Sequence, residues 1–164
     1  MIKVYNRSTG MVYYSLPELG IRRAFNLGEI KNIDEKELEA LSQIDGGLIL
    51  LKENLLVDDK DWVEKHFEAP IEYWWKPEKI KKAMLEDSLE LFSETLDYAP
   101  EGVLDFIKMF SWQVPLTDLN KIAVLKEKTG FDAQAAALLM KKNNTESEQA
   151  PTRRKRLREE ENND

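Results

Sequence analysis

The chain of 164 residues contains no cysteine, and this absence excludes several kinds of site. Without thiols there is no disulfide framework, no thiolate-bound metal and no cysteine nucleophile. Histidine is almost as scarce, since His66 is the single imidazole in the sequence. An imidazole with no second histidine or cysteine to join it is a poor metal ligand, so we interpret His66 as an ordinary helix-surface residue. We predict no cofactor and no metal.

Long apolar runs are also missing. A transmembrane helix needs roughly 18 consecutive apolar residues, and no stretch approaches that length. The first ten residues, MIKVYNRSTG, lack the apolar segment of a secretion signal. We therefore expect a protein that works in the cytoplasm, or in something assembled there, and that has no membrane partner.

The motifs of common enzymes are absent as well. The glycine pair in Asp45-Gly46-Gly47 belongs to neither the GxxxxGK nor the GxGxxG phosphate-binding pattern. Carboxylates are scattered along the predicted helices in no arrangement that separates a general acid from surface charge. We expect no enzymatic activity and name no catalytic residue; an unrecognised enzyme stays as the third of three function classes.

The overall charge limits the partners. A net charge of −7 argues against a protein whose whole surface binds nucleic acid, because phosphate binding needs concentrated lysine and arginine. A composition of 42% hydrophobic and 34% charged residues is that of an ordinary globular protein. The length suffices for one good core or two small ones.

The N-terminal third has the pattern of short strands. Residues 2–5 and 11–14 are β-branched or aromatic runs, and the turn cluster Asn6-Arg7-Ser8-Thr9-Gly10 between them predicts a β-hairpin. Extended patterns over residues 21–25 and 29–33 add two strands. Four short strands predict a small meander or half-barrel that needs a covering partner.

Two helices are predicted in the next segment. Asp34 and Glu37 form a capping-box pattern, in which Asp34 accepts a backbone hydrogen bond and Glu37 reaches back to the cap. That helix should end at the Asp45-Gly46-Gly47 sequence. The apolar runs at 48–51 and 55–57 are too short to classify, and residues 58–67 predict a helix with Trp62 and Val63 inward.

The rest of the folded chain is predicted to be a helical bundle, centred on residues 100–112. That window has the clearest helical period, with apolar side chains at Val103, Leu104, Ile107, Met109 and Phe110. Two predicted helices precede this window: one covers residues 77–86, and the other begins at residue 88. Thr117 and Asp132 are the predicted caps of the two helices that follow.

Two segments are candidates for partner binding. Pro70, Tyr73, Trp74 and Trp75 lie in a connector at 69–76 that is either an exposed aromatic anchor or a plug between the β unit and the bundle. Residues 143–164 have Leu157 as almost their only apolar side chain, which predicts disorder in isolation. The segment is either a solubilising tail or a binding segment, and its cationic residues are Arg153, Arg154, Lys155, Arg156 and Arg158.

The basic residues can contact protein or nucleic acid. We favour protein, because Glu159, Glu160 and Glu161 directly follow the basic run and repel phosphates. Nucleic-acid binding is then weak and non-specific at most.

Several stretches resemble a family of small uncharacterised proteins from tailed bacteriophages and prophages. The resemblance covers residues 2 to about 140 and is carried by Val4-Tyr5-Asn6, Tyr14-Ser15-Leu16-Pro17, Arg22, Phe25, Gly28-Glu29, Leu38, Leu41, Gly46-Gly47, Leu50-Leu51, Leu96-Asp97-Tyr98-Ala99-Pro100-Glu101-Gly102-Val103 and Lys128-Thr129-Gly130-Phe131-Asp132. Such proteins often carry a short basic C-terminal peptide. The resemblance implies a virion-associated or assembly role, and a location in the virion after assembly in the host cytoplasm. It implies no site residues.

The sequence therefore predicts an α+β protein in four parts. These are a β unit with one or two helices at 1–68, an aromatic connector at 69–76, a compact helical bundle at 77–142 and a disordered charged tail at 143–164. The expected function is a non-enzymatic virion structural or assembly protein that binds a capsid or neck partner. The alternative is a nucleic-acid-binding regulator that works through the tail or a bundle helix.

Overall fold

A computed structural model describes residues 1–114 and 116–149, with only the backbone described at 145–149. The predicted partner-binding residues Arg153, Arg154, Lys155, Arg156, Leu157 and Arg158 lie outside the described residues. Within them the strands are β1 (Ile2–Asn6), β2 (Val12–Leu16), β3 (Ile21–Phe25), β4 (Ile30–Ile33) and β5 (Leu55–Val57). The α-helices are α1 (Glu35–Gln43), α2 (Gly47–Glu53), α3 (Lys60–His66), α4 (Pro77–Glu86), α5 (Leu89–Tyr98), α6 (Glu101–Gln113), α7 (Leu119–Thr129) and α8 (Ala133–Gln149). The predicted α+β class is confirmed.

The strands pair differently from the prediction. β1 is the centre of a three-stranded antiparallel sheet in the order β4-β1-β5, while β2 and β3 form a separate antiparallel hairpin. The predicted hairpin between residues 2–5 and 11–14 is therefore wrong. Both edges of β1 are already occupied, by Ile30–Ile33 on one side and Leu55–Val57 on the other. β2 instead pairs with β3 across the short 3-10 helix Pro17–Leu19, which ends at Gly20 with a φ of 62°.

Asn6 explains why the 6–10 segment does not close a hairpin. Its side-chain Nδ2 donates to the carbonyl oxygens of Gly10 at 2.8 Å, Phe25 at 3.1 Å and Asn26 at 2.9 Å, while its Oδ1 accepts from the Ser8 N–H at 2.9 Å. The buried amide thus fastens the loop after β1 to the turn that follows β3. A turn-forming residue type serves here as a long-range tie between loops.

The elements from 34 to 67 largely follow the sequence pattern. Asp34 caps α1 by accepting from the Lys36 N–H, and Gly46, with a φ of 77°, separates α1 from α2. The unclassified apolar runs become α2 and the strand β5, which is buried along its length. Asp59 caps α3, and Trp62 and Val63 are buried as predicted.

Helix α6 lies at the centre of the bundle. It packs against α4 and α8, while α5 packs against α7. Val103, Ile107 and Phe110 are buried as predicted, and so is Phe106, which completes the same face and which the prediction had omitted. The predicted cap Thr117 is wrong, because the Asp118 carboxylate accepts from the Asn120 and Lys121 N–H groups at the start of α7.

The last helix runs further than expected. Asp132 caps α8 as predicted, since its carboxylate accepts from the Ala135 N–H at 2.9 Å. The helix continues to Gln149, so residues 143–149, which the sequence assigned to a disordered tail, are helical. The remaining tail residues lie outside the described part of the chain.

Buried apolar side chains form two clusters. The first draws its members from residues 4–73 and the second from residues 80–133. The connection between these two cores contains the candidate aromatic segment.

Candidate functional site

A buried arginine lies where the two cores meet. Arg7 directly follows β1, and its Nη1 donates to the Tyr73 carbonyl oxygen at 2.6 Å while Nη2 donates to the Lys52 carbonyl oxygen. The guanidinium carbon is 4.3 Å from the centre of the Tyr73 ring. Burial lowers the pKa of Arg7 to about 10, an effect that the nearby Tyr73 and Glu53 partly offset. The side chain therefore ties the end of β1 to α2 and to the aromatic connector.

The start of α6 packs directly on this arginine. A Cβ atom at Gly102 would lie 2.8 Å from Arg7 Cγ and 2.9 Å from the backbone oxygens of Arg7 and Glu53. The Glu101 N–H donates to Glu53 Oε2 at 2.8 Å, which satisfies an amide in the first turn of α6. We call this set of contacts, made by Arg7, Glu53, Tyr73, Glu101 and Gly102, the joint.

The aromatic connector belongs to the interior more than to the surface. Tyr73 is 0% exposed, and its hydroxyl accepts from the Val57 N–H at 3.0 Å and lies 3.2 Å from the Leu51 carbonyl oxygen. The prediction that Tyr73 contacts a partner is wrong, because the ring is enclosed by the first core. Half-buried Trp74 packs on the first core and half-buried Trp75 on the second. Tyr73 is thus a member of the first core.

A second polar cluster, formed by Tyr14, Arg23 and Glu37, was not predicted from the sequence. Glu37 does not reach back to its helix cap as predicted; its carboxylate accepts from the Tyr14 hydroxyl at 2.7 Å and from Arg23 Nε and Nη2 at 2.8 Å each. The Glu37 side chain is 3% exposed. The cluster therefore holds the β2–β3 hairpin on α1. Tyr14 and Arg23 are opposite each other in the β2–β3 register. A correct prediction of the β2–β3 pairing would therefore have brought these two side chains together.

The electrostatics of this cluster favour the ionised form of the Glu37 carboxylate. Hydrogen bonds from Arg23, more than the one from Tyr14, hold the pKa of Glu37 below its usual range against the opposing effect of burial. Burial and the hydrogen bond to Glu37 raise the pKa of Tyr14. Each group thus stays in the charge state that suits its partner, which makes the cluster a structural tie.

An acidic groove of about 360 Å³ opens at the start of β1, between the first turns of α1 and α3. Its lining includes the carboxylates of Glu35, Asp59 and Asp61 together with Trp62 and Lys65. His66 stacks on Trp62 with the ring centroids 3.9 Å apart, and its Nδ1 lies 2.7 Å from the Trp62 carbonyl oxygen. This half-buried histidine is engaged with its own helix.

The outer side of α8 is apolar and uncovered. Leu138 is 68% exposed, Leu139 62% and Met140 44%, whereas Ala133 on the same helix is buried in the second core. Three consecutive large apolar side chains on the surface of a helix are candidates for contact with another macromolecule. In sequence, the basic run at 153–158 follows this helix.

Across residues 1–114 and 116–149 no group of three or more histidine or acidic side chains is placed to hold a metal ion. In the same part of the chain, no helix combines the length and the apolar character needed to cross a bilayer. No protein-family model, no curated protein and no solved structure matches the chain. The candidate surfaces are α8, for its exposed apolar side chains, and the acidic groove, for its carboxylates.

Proposed function

We propose that the chain is a non-enzymatic structural or assembly protein of a bacteriophage virion that binds a capsid or neck protein. The observation that carries the binding role is the exposed Leu138-Leu139-Met140 run on α8, close in sequence to the basic residues 153–158. Apolar anchors surrounded by charge are the usual composition of a protein interface. The virion assignment comes from the resemblance to proteins of tailed phages.

The composition of α8 favours a protein partner over nucleic acid. Leucine and methionine side chains gain free energy when another apolar surface covers them, and duplex phosphates offer no such surface. Arginines add bidentate contacts to carboxylates, which strengthen a protein interface and orient it. The basic run alone supports the nucleic-acid alternative, and the triglutamate that follows it opposes phosphate binding.

Co-sedimentation with purified particles of the source phage tests the proposal. The intact chain should pellet with particles, and Leu138→Ser/Leu139→Ser should weaken the affinity by at least about tenfold, since two apolar contacts are lost. Leu119→Ser is the matched control, because Leu119 is 69% exposed on α7 and belongs to neither candidate surface. The control should bind like the unmodified chain.

Duplex and single-stranded DNA provide the competing arm of the same experiment. We expect weak binding that falls steeply with salt, by nearly one log unit per log of salt for each phosphate contacted. Tight, sequence-selective DNA binding without attachment to particles would overturn the virion role and support the regulator.

A further inference from the structure

The acidic groove has unused charge. Glu35 and Asp61 are exposed, and neither makes a hydrogen bond or ion pair within the described residues. Asp59 Oδ1 accepts a hydrogen bond from the Trp62 backbone N–H at 2.9 Å. Lys65 forms an ion pair with Glu39 at 3.3 Å. The lysine that lines the groove is thus already engaged, and the groove presents carboxylates to a cationic ligand.

A buried donor in the groove wall also lacks an acceptor. The Trp62 side chain is 3% exposed, and among the described residues nothing accepts a hydrogen bond from its Nε1–H. Leaving a buried N–H unpaired costs free energy, which an acceptor from a ligand would recover. Met1, 84% exposed, also lines the groove.

These two features select the ligand by its chemistry. The carboxylates bind cations, and the indole N–H can donate a hydrogen bond to a carbonyl oxygen. An extended basic peptide supplies both groups. A divalent cation fits poorly, since the described residues contain no acidic group of three or more placed to hold one. Arginine is the better cation, because its guanidinium binds a carboxylate through two hydrogen bonds.

The chain itself contains such a peptide. Residues 153–158, RRKRLR, have five cations in six residues. The groove lies at the Ile2 end of β1, whereas the joint to α6 lies at the Arg7 end, and β1 separates them by about 17 Å at the usual rise per residue. α8, which leads to the basic segment, packs on α6 and α7 and so belongs to the bundle side. A second copy can present its segment to the groove without spanning this separation.

We propose that residues 153–158 of one copy dock in the acidic groove of a second copy, with arginines on Glu35 and Asp61 and a peptide carbonyl on Trp62 Nε1–H. The contact is head to tail, so each copy offers one groove and one segment. Such a contact closes into a ring or extends as a filament. This inference rests on the protein-binding role proposed above and names a second copy as one partner.

Sedimentation velocity of the full chain over a range of concentrations tests the docking. We expect concentration-dependent association at low salt that high salt reverses, because the contacts are charged. Glu35→Gln/Asp61→Asn should weaken association by about tenfold or more, since at least two charge-assisted hydrogen bonds disappear. Glu94→Gln/Glu127→Gln is the matched control, with the same change of charge at exposed positions on α5 and α7, and should associate normally.

Mixing two defective chains gives the sharpest result. The groove variant retains its basic segment, and Arg153→Gln/Arg154→Gln/Arg156→Gln retains its groove. Each should be monomeric alone, and an equal mixture should form one-to-one pairs and nothing larger. Addition of unmodified chain to ¹⁵N-labelled Arg153→Gln/Arg154→Gln/Arg156→Gln should move the Trp62 indole N–H resonance downfield, with Trp62→Phe to assign it.

A monomeric full chain at low salt, or association that the groove variant leaves intact, would overturn the docking. Neither result would contradict the proposed attachment to particles, which is tested separately with the variant Leu138→Ser/Leu139→Ser. Conversely, self-association without attachment to particles would leave the docking standing and remove the proposed virion role.

Discussion

The N-terminal core and the bundle core are built on different principles. In the first, buried Asn6, Arg7 and Glu37 connect segments that are far apart in sequence. In the second, the buried polar side chains are Thr95, Ser111 and Lys121, and the last donates to the Met84 carbonyl oxygen at 2.9 Å. Polar side chains therefore join the loops, strands and helices of the N-terminal unit to one another, while apolar faces and helix caps account for most of the bundle.

The largest effect is expected in the bundle core. Phe110 is buried beside Phe106, with the ring centroids 5.4 Å apart. Phe110→Ala should lower the free energy of unfolding by about 3–5 kcal/mol, because it leaves a cavity in the central helix packing. Leu119→Ala, at an exposed site, should change it by less than about 0.5 kcal/mol. Chemical denaturation measures both, and a loss below about 1 kcal/mol for Phe110→Ala would contradict a core centred on α6.

The polar cluster of the N-terminal unit should give a smaller effect. Glu37→Gln should cost about 1–2 kcal/mol at neutral pH, a figure discounted because Arg23 is 39% exposed and screened by solvent. Glu35→Gln, at an exposed neighbouring position, should cost less than about 0.5 kcal/mol. Equal effects for the two would mean that the cluster does not hold the hairpin.

The same cluster predicts a pH dependence. The folded pKa of Glu37 is lowered, so its ionised form contributes stability above the unfolded value of about 4.3, and this stability is lost as pH falls through the folded pKa. Denaturation midpoints measured from pH 6 downward should fall less steeply for Glu37→Gln than for the unmodified chain. If the midpoints of the two proteins fell in parallel, Glu37 would not contribute to the loss of stability at acidic pH.

The smallest effect separates two adjacent residues at the start of α7. Asp118→Ala should cost about 1 kcal/mol because it removes the helix cap, whereas Thr117→Ala should be nearly neutral. Thermal unfolding of the two variants distinguishes them. The reverse order would restore Thr117 as the cap.

The sequence predicted elements better than their partners. The strand positions, the central helix and the caps Asp34 and Asp132 follow from local periodicity and local hydrogen bonds, which a single sequence displays. The pairing of β1 with β4 and β5 depends on contacts between residues that are distant in sequence. An asparagine can form a local turn or a long-range hydrogen bond, so the residue type of Asn6 does not indicate which of the two it makes. Phe106 was within reach, since it lies on the same helical face as Val103 and Phe110.

The candidate surfaces were harder to foresee for a related reason. Exposure of Leu138 and Leu139 depends on which side of α8 meets α6, and an alanine-rich helix has little periodicity to indicate it. The acidic groove is lined by Glu35 of α1 and Asp61 of α3, two helices that are separated in sequence by α2 and β5. Tyr73 has the sequence pattern of a surface anchor because its neighbours include Pro70 and two tryptophans. Its burial comes from contacts with residues that are distant in sequence, among them Arg7, Leu51 and Val57.

The two differently built cores are fastened to each other at the joint, where Gly102 packs on Arg7. Hydrogen exchange of the Val4 and Ile107 amides, one in each core, tests it in Gly102→Ala and in Gly10→Ala. A Cβ at Gly10 meets nothing within 4 Å, whereas at Gly102 it meets two backbone oxygens at 2.9 Å. We predict that Gly102→Ala speeds exchange at both amides despite the better helix propensity of alanine, and that Gly10→Ala does not. Unchanged exchange in Gly102→Ala would contradict the joint.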